Sequence, residues 1–162
     1  MNRIFISLGS NIDAHIHIRN GLDDLARDFD RVRISTVFES EAVGFEGDNF
    51  LNLVAEAYTE LPIEQVVARF KQIEQDHGRL RGAKKFASRT LDLDLLLYGD
   101  HQCQQPVELP RPEIFHNDFV LWPLSELWPE GILPGVTDTL AQLWQDHPKQ
   151  QKLWPIAFHW PE

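Results

Sequence analysis

Hydrophobic and polar positions change period several times along the chain, and each change marks an element. "RIFISLGS" (residues 3–10) is a nearly unbroken apolar run that predicts a buried strand stopping at Gly9 and Ser10, with Asn11 or Asp13 able to cap the next element. Ile18, Leu22, Leu25, Ala26 and Phe29 then recur at helical spacing, giving an amphipathic helix with its charges on the other face. "RVRISTVFES" (31–40) predicts a strand, "EAVGFEGDN" (41–49) a glycine-containing acidic loop, and "FLNLVAEAYTE" (50–60) a third strand. Pro62 suits the first residue of a second helix, whose buried stripe is Ile63, Val66, Val67, Phe70 and Ile73 and which ends near Gly78. After a basic loop comes the strand "RTLDLDLLLYGD" (89–100). The order β-α-β-β-α-β predicts an α+β fold of the ferredoxin-like kind, an antiparallel sheet with helices packed on it. From Gly99 on the chain is rich in proline and tryptophan, and "VLWPLSELWPE" and "DTLAQLWQDH" predict a short strand and one or two covering helices.

Composition narrows the class. With 162 residues and 43% hydrophobic content, one soluble domain spanning 1–162 is expected. There is no internal repeat, no apolar run of membrane-spanning length and no signal-peptide pattern, so a cytoplasmic location is expected. The lone Cys103 excludes an intrachain disulfide and reads as a bystander. A formal net charge of −10 disfavours broad contact with nucleic acid or an anionic membrane, so any phosphate must be met locally.

Asp92 and Asp94 stand in the most apolar strand. Side chains alternate along a strand, so the two carboxylates share one face while Leu91, Leu93 and Leu95 take the other. Their Cα atoms lie roughly 6.6 Å apart at about 3.3 Å per residue, close enough to share one or two divalent ions. An aspartate pair on one edge of a strand is equally compatible with a solvated face. Just upstream, "GRLRGAKKFASR" (78–89) holds Arg79, Arg81, Lys84, Lys85 and Arg89 with no acid. Carboxylates for magnesium beside arginines for phosphate are what phosphoryl transfer requires, because its transition state is stabilised by position and charge. The same stretch could be an RNA-binding loop with Phe86 as a stacking ring, or an ordinary basic turn. The chain lacks a Gly-x-x-x-x-Gly-Lys-Ser loop, so a Walker-type nucleotide site is excluded. In "DNFLN" (48–52), Phe50 and Asn52 share a face, and a ring beside an amide suits a flat heterocycle, although such pairs are also common as core and turn chemistry.

"SLGSN", "FLN", "IEQDHGRLR", "RTLDLDLLLYG", "LPRP" and "FVLWPLSEL", in that order over about residues 3–128, resemble the 6-hydroxymethyl-7,8-dihydropterin pyrophosphokinase family. The resemblance implies transfer of a pyrophosphoryl group from ATP to the pterin hydroxymethyl oxygen, release of AMP, a place in folate biosynthesis, and two magnesium ions (Mg2+). It implies that Asp92 and Asp94 are metal ligands and that Arg79 and Arg89 contact phosphate, giving the catalytic set Arg79, Arg89, Asp92 and Asp94. Arg81 and Phe86 fall in the equivalent of the family's catalytic loop. For the pterin it implies Asn52 at the ring edge, Phe50 and Phe119 on the two ring faces, and further contacts from Ser40 and Val43. Glu74 and Leu95 fall near the nucleotide, Leu95 through its backbone.

Three positions depart from the family pattern. Arg111, in "LPRP", stands where the family has a phosphate-contacting histidine, and keeps a donor while making its charge permanent. Asn117 stands in register with a usual arginine, so a fixed cation is missing there, and Ser88 replaces a frequent proline. The reading favoured is an active pyrophosphokinase acting as a monomer on small molecules, without nucleic-acid or membrane partners. A paralogue using a related pterin, or a pterin- or nucleotide-binding module with weak or lost transfer, remains open. The group that takes the hydroxyl proton is open too, with Asp94 or a water held by the metal as the options. Trp154, Phe158 and Trp160 of the tail are expected to pack on the core, or else to form a contact surface.

Overall fold

The protein is described from a computed structural model that covers residues 1–41, 47–78 and 90–161. In chain order these form β1 (Asn2–Ser10), α1 (Ala14–Asp28), β2 (Asp30–Ile34), β3 (Val37–Ser40), β4 (Phe50–Thr59), α2 (Ile63–Asp76), β5 (Asp92–Tyr98), a 3-10 turn (Pro112–Phe115), α3 (Asp118–Leu127), α4 (Leu140–Asp146) and β6 (Leu153–Ile156). The sheet order is β5-β1-β4-β3-β6, with β2 also on β4, and every pairing is antiparallel. This is the ferredoxin-like β-α-β-β-α-β arrangement, extended by a C-terminal strand.

Alternation along the central strands builds a core on each face. Ile4, Ile6 and Leu8 of β1, Leu51, Leu53, Ala55 and Ala57 of β4, and Leu93 and Leu95 of β5 meet Ile18, Leu22 and Leu25 of α1 and Val66, Phe70 and Ile73 of α2. Burying each such large side chain contributes about 1.5–3 kcal/mol relative to exposure. On the opposite face Phe5, Val54, Leu96 and Leu97 pack under Val120, Leu121, Leu124 and Leu140 of α3 and α4. A register shift opposite Phe5 and Ile6 pairs Ile6 with Leu95 and Phe5 with Leu97, so Leu96 is the extra residue of a bulge. The bulge turns Leu96 and Leu97 to the same core, whereas before it the second face of β5 carries only Asp92 and Asp94.

Several expectations need correction. Residues 31–40 form two strands, both on the same edge of β4, because the chain breaks ladder geometry at Ser35: its N–H donates to Val54 O at 2.9 Å and its hydroxyl accepts from Val54 N at 3.0 Å. Ala26 is exposed, lying just off the buried stripe of α1. Asp13 is the N-cap of α1 in a left-handed conformation, but its side chain makes no capping bond, and Asn11 instead donates to Asp48 O at 3.1 Å. Pro62 is the N-cap of α2 and not its first residue. β1 does stop at Ser10 as expected, with Gly9 paired to both neighbouring strands and Ser10 to β4. In the tail, Trp154 is exposed, while Phe158 and Trp160 pack against the core below α1 and α2, where Trp160 Nε1 donates to Asp23 at 2.9 Å.

Candidate functional site

The sheet face covered in part by α3 carries the polar row. Across the strands, Asp92 is paired with Gly9, Gly9 with Asn52, and Asn52 with Phe38; one step along, Asp94 is paired with Ser7 and Ser7 with Val54. Directly paired residues share a face, so Asp92 and Asn52 look out on the same side, about 10 Å apart across two strand spacings. Asp92 and Asp94 are half-buried, while Leu91, Leu93 and Leu95 behind them are buried.

Asn52 is held from two sides. Its Nδ2 donates to Ser40 Oγ at 2.9 Å, both side chains being buried, and a Cβ built on Gly9 would fall 3.1 Å from its Oδ1. The amide keeps one further hydrogen and its carbonyl lone pairs for a ligand edge. Phe50, two residues earlier, is half-buried on the same face of β4. Beside this row, Phe119 in the first turn of α3 is half-buried and packs against the cluster of the same sheet face. Phe38 and Trp122 lie in contact, ring centroids 4.4 Å apart, and join α3 to β3.

At the other end, Arg111 Nη2 donates to Asp94 Oδ1 at 3.2 Å and its Nε donates to Glu113 Oε2 at 2.8 Å. Its backbone N–H donates to Leu96 O at 3.0 Å, so the loop carrying Arg111 is anchored to the bulge of β5. Glu74 is turned inward: it is buried, and its Oε2 accepts from Leu93 N at 2.8 Å, capping the outer edge of β5. The Leu95 side chain is likewise in the core, which leaves only its backbone for any ligand. Val43, Arg79, Arg81, Lys84, Lys85, Phe86, Ser88 and Arg89 lie outside the described residues.

The donor set suits magnesium. Two neighbouring carboxylates are hard oxygen donors of the kind magnesium takes; among the described residues no group of three histidine, cysteine or acidic side chains is placed to hold a metal. Gly9 and Glu113 also belong to this face, beyond the candidates that the sequence offers. A glycine inside an apolar strand signals close approach of another group, which here is Asn52; Glu113 comes two residues after Arg111 and carried no signal of its own.

A ferredoxin-like sheet of the α+β class thus carries two carboxylates, an arginine, an amide and two aromatic rings on one face, the residue types that a nucleotide-using transferase employs. The family model for 7,8-dihydro-6-hydroxymethylpterin-pyrophosphokinase matches residues 5–129. The chain is 35% identical over 137 residues to the 2-amino-4-hydroxy-6-hydroxymethyldihydropteridine pyrophosphokinase of Aquifex aeolicus, covering 83% of this chain and 85% of that protein. It is 30% identical to the protein of that name from Haemophilus influenzae, covering 93% of this chain and 98% of that one. Among solved structures, the Plasmodium falciparum HPPK-DHPS wild type superposes with a TM-score of 0.70 at 13% identity, over 89% of this chain and 44% of that longer chain, a likeness of fold. The chain belongs to the 7,8-dihydro-6-hydroxymethylpterin-pyrophosphokinase family, and is an enzyme. No described helix is long and apolar enough to cross a membrane.

Proposed function

We propose that the row from Asp92 through Gly9 to Asn52 is where this chain carries out its family's reaction, transfer of pyrophosphate from ATP to the hydroxymethyl group of 6-hydroxymethyl-7,8-dihydropterin in folate biosynthesis. The observation that carries the proposal is the register that sets Asp92 and Asn52 on one face, about 10 Å apart, a span that a bicyclic ring and its hydroxymethyl arm can bridge. Asn52, braced by Ser40, reads the pterin edge, and Phe50 and Phe119 flank the ring. Val43 adds a pterin contact by resemblance alone.

Asp92 and Asp94 would hold the magnesium, two ions in this reading. Held by these carboxylates, magnesium would neutralise phosphate charge and make the β phosphorus a better electrophile. The pterin hydroxyl oxygen forms a bond to the β phosphorus, the bond from that phosphorus to the oxygen bridging the α phosphate breaks, and AMP leaves. The hydroxyl proton would pass to Asp94 or to a water held at the metal site. Arg111, already beside Asp94, meets the phosphates with its guanidinium fork. Arg79, Arg81 and Arg89 complete the phosphate contacts by resemblance, and Glu74 of α2, bonded to Leu93 N, and the backbone of Leu95 lie along the edge of β5 that the nucleotide would follow. The chain is read as one domain over 1–162, cytoplasmic and monomeric, with small molecules as its partners.

The test is AMP formation by purified protein from ATP and magnesium, with and without 6-hydroxymethyl-7,8-dihydropterin. AMP that depends on pterin is expected. Binding of both ligands without AMP would favour the alternative of a silent binding module, for which Asn117 in place of the usual arginine is the motivating observation.

A further inference from the structure

We propose that the C-terminal segment, through Asp118, fixes Phe119 and thereby sets the pterin slot; the inference rests on Phe119 being one wall of that slot. Asp118 is 1% exposed, and its carboxylate is turned to the tail. His147 Nε2 lies 2.7 Å from Oδ1, and the N–H groups of Gln150 and Gln151 donate to Oδ2 at 3.1 Å each. Gln151 returns a bond, its Oε1 accepting from Phe119 N at 3.4 Å. A carboxylate is costly to bury unless its oxygens are satisfied, and packing alone would be met by an apolar residue.

The helix itself holds Phe119 weakly. The N–H of Phe119 belongs to the first turn, where no helical carbonyl is available, and the N-cap Asn117 makes no side-chain capping bond. Pro123, four residues on, lacks the N–H that would bond back to the Phe119 carbonyl. Neither the N–H nor the C=O of Phe119 has its usual four-residue helical partner, and Gln151 supplies the bond to its N–H. Two residues later the tail enters β6, which pairs Leu153 with Ser40 and Pro155 with Phe38. Residues 147–156 thus join the turn bearing Phe119 to the strand whose Ser40 braces Asn52, so the tail spans both sides of the slot. Asp118 and Gln151 are positioning residues.

The experiment is equilibrium titration of the full-length protein with the pterin and, separately, with magnesium and a non-hydrolysable ATP analogue, using Gln151→Ala, Asp118→Ala, Asp118→Asn, Phe119→Ala and the Gln151→Ala/Phe119→Ala pair. Gln151→Ala is expected to weaken pterin binding about threefold to tenfold, the scale of one lost hydrogen bond, with nucleotide affinity unchanged. Asp118→Asn should recover part of what Asp118→Ala loses, since an amide oxygen still accepts from the two tail N–H groups. In the Phe119→Ala background the Gln151 effect should vanish, because the tail acts through that ring. Should Asp118→Ala fail to fold, Gln151→Ala, a change at a half-buried side chain, still decides the matter. Equal weakening of both ligands, a Gln151 effect that persists without the Phe119 ring, or no effect of Gln151→Ala while Phe119→Ala weakens the pterin would overturn the inference and leave the pterin reading standing. Normal pterin binding by Phe119→Ala would overturn the reading of Phe119 itself, and the inference with it.

Discussion

Gly9 and Asn52 are partners across β1 and β4, and the missing side chain of Gly9 is what leaves room for the Asn52 amide, whose Oδ1 stands 3.1 Å from where a Cβ would be. Gly9→Ala keeps a backbone that any residue adopts but crowds the amide by a few tenths of an ångström. Since the other side of Asn52 is braced by Ser40, the amide must tilt away from the ligand edge. Pterin affinity should fall about tenfold, the cost of one misaligned polar contact, while nucleotide binding is unchanged; titration with each ligand checks both.

Asp94→Asn should abolish transfer, by about a hundredfold or more, with little change in stability. The carboxylate is 48% exposed at the site face, and the leucines that anchor β5 are untouched. Losing charge at a metal ligand removes electrostatic stabilisation that is realised in the transition state. Steady-state AMP production and a thermal melt measure the two halves of this expectation. Near-normal turnover with magnesium would rule out Asp94 as a metal ligand.

Glu56 joins β4 to two arginines, accepting from Arg3 Nε at 2.8 Å and from Arg33 Nε at 3.2 Å. Burial pushes its carboxyl up, but the hydrogen bonds and charges of Arg33 and Arg3 outweigh that and hold it below the ordinary value of 4.5. A depressed carboxyl stabilises the fold above its unfolded value and loses that contribution as the pH drops through the folded value. Glu56→Gln should therefore cost about 2 kcal/mol at pH 7, and the gap to the wild type should narrow below pH 4.5. Urea melts at pH 7 and pH 3.5 would reveal it.

His17 and His77 bring their Nδ1 atoms to 2.7 Å, and His77 Nε2 lies 3.0 Å from Asp24. Burial first, and then the neighbouring His77, lower the His17 value from 6.5, with Asp13 opposing. For a histidine whose folded value is depressed, the unfolded chain takes up the proton first, so stability falls as the pH drops below 6.5 towards the folded value. Melting temperature should decline over that window, and His17→Gln should flatten the decline.

The element order and the polar face were legible because they come from two periods. Period two in "LDLDL" and "FLN" assigned Asp92, Asp94, Phe50 and Asn52 to faces, and the 3.6 period located α1 and α2. The break at Ser35 was not legible, since it depends on a serine hydroxyl taking the place of a ladder carbonyl, which only the partner strand reveals. Nor was β6: "LWPI" contains a proline that argues against a strand, and it is tolerated because Pro155 sits on the outermost strand. Ala26 is exposed against its spacing because a small apolar residue at the margin of a helical stripe can face either way.

The bulge at Leu96 divides β5 into two stretches that answer to different selection. Before it, one face of the strand is free to vary with the chemistry, since changing Asp92 or Asp94 removes no core contact. From Leu96 on, both faces are committed to packing, and Leu96, Leu97 and Tyr98 can change only by disturbing a core. A saturation-mutagenesis map of this strand would alternate as far as Leu95, with variants at Asp92 and Asp94 folded and inactive and variants at Leu93 and Leu95 poorly folded, and would turn uniformly to poor folding from Leu96 on. A family built on such a strand can retune its reaction without renegotiating its architecture.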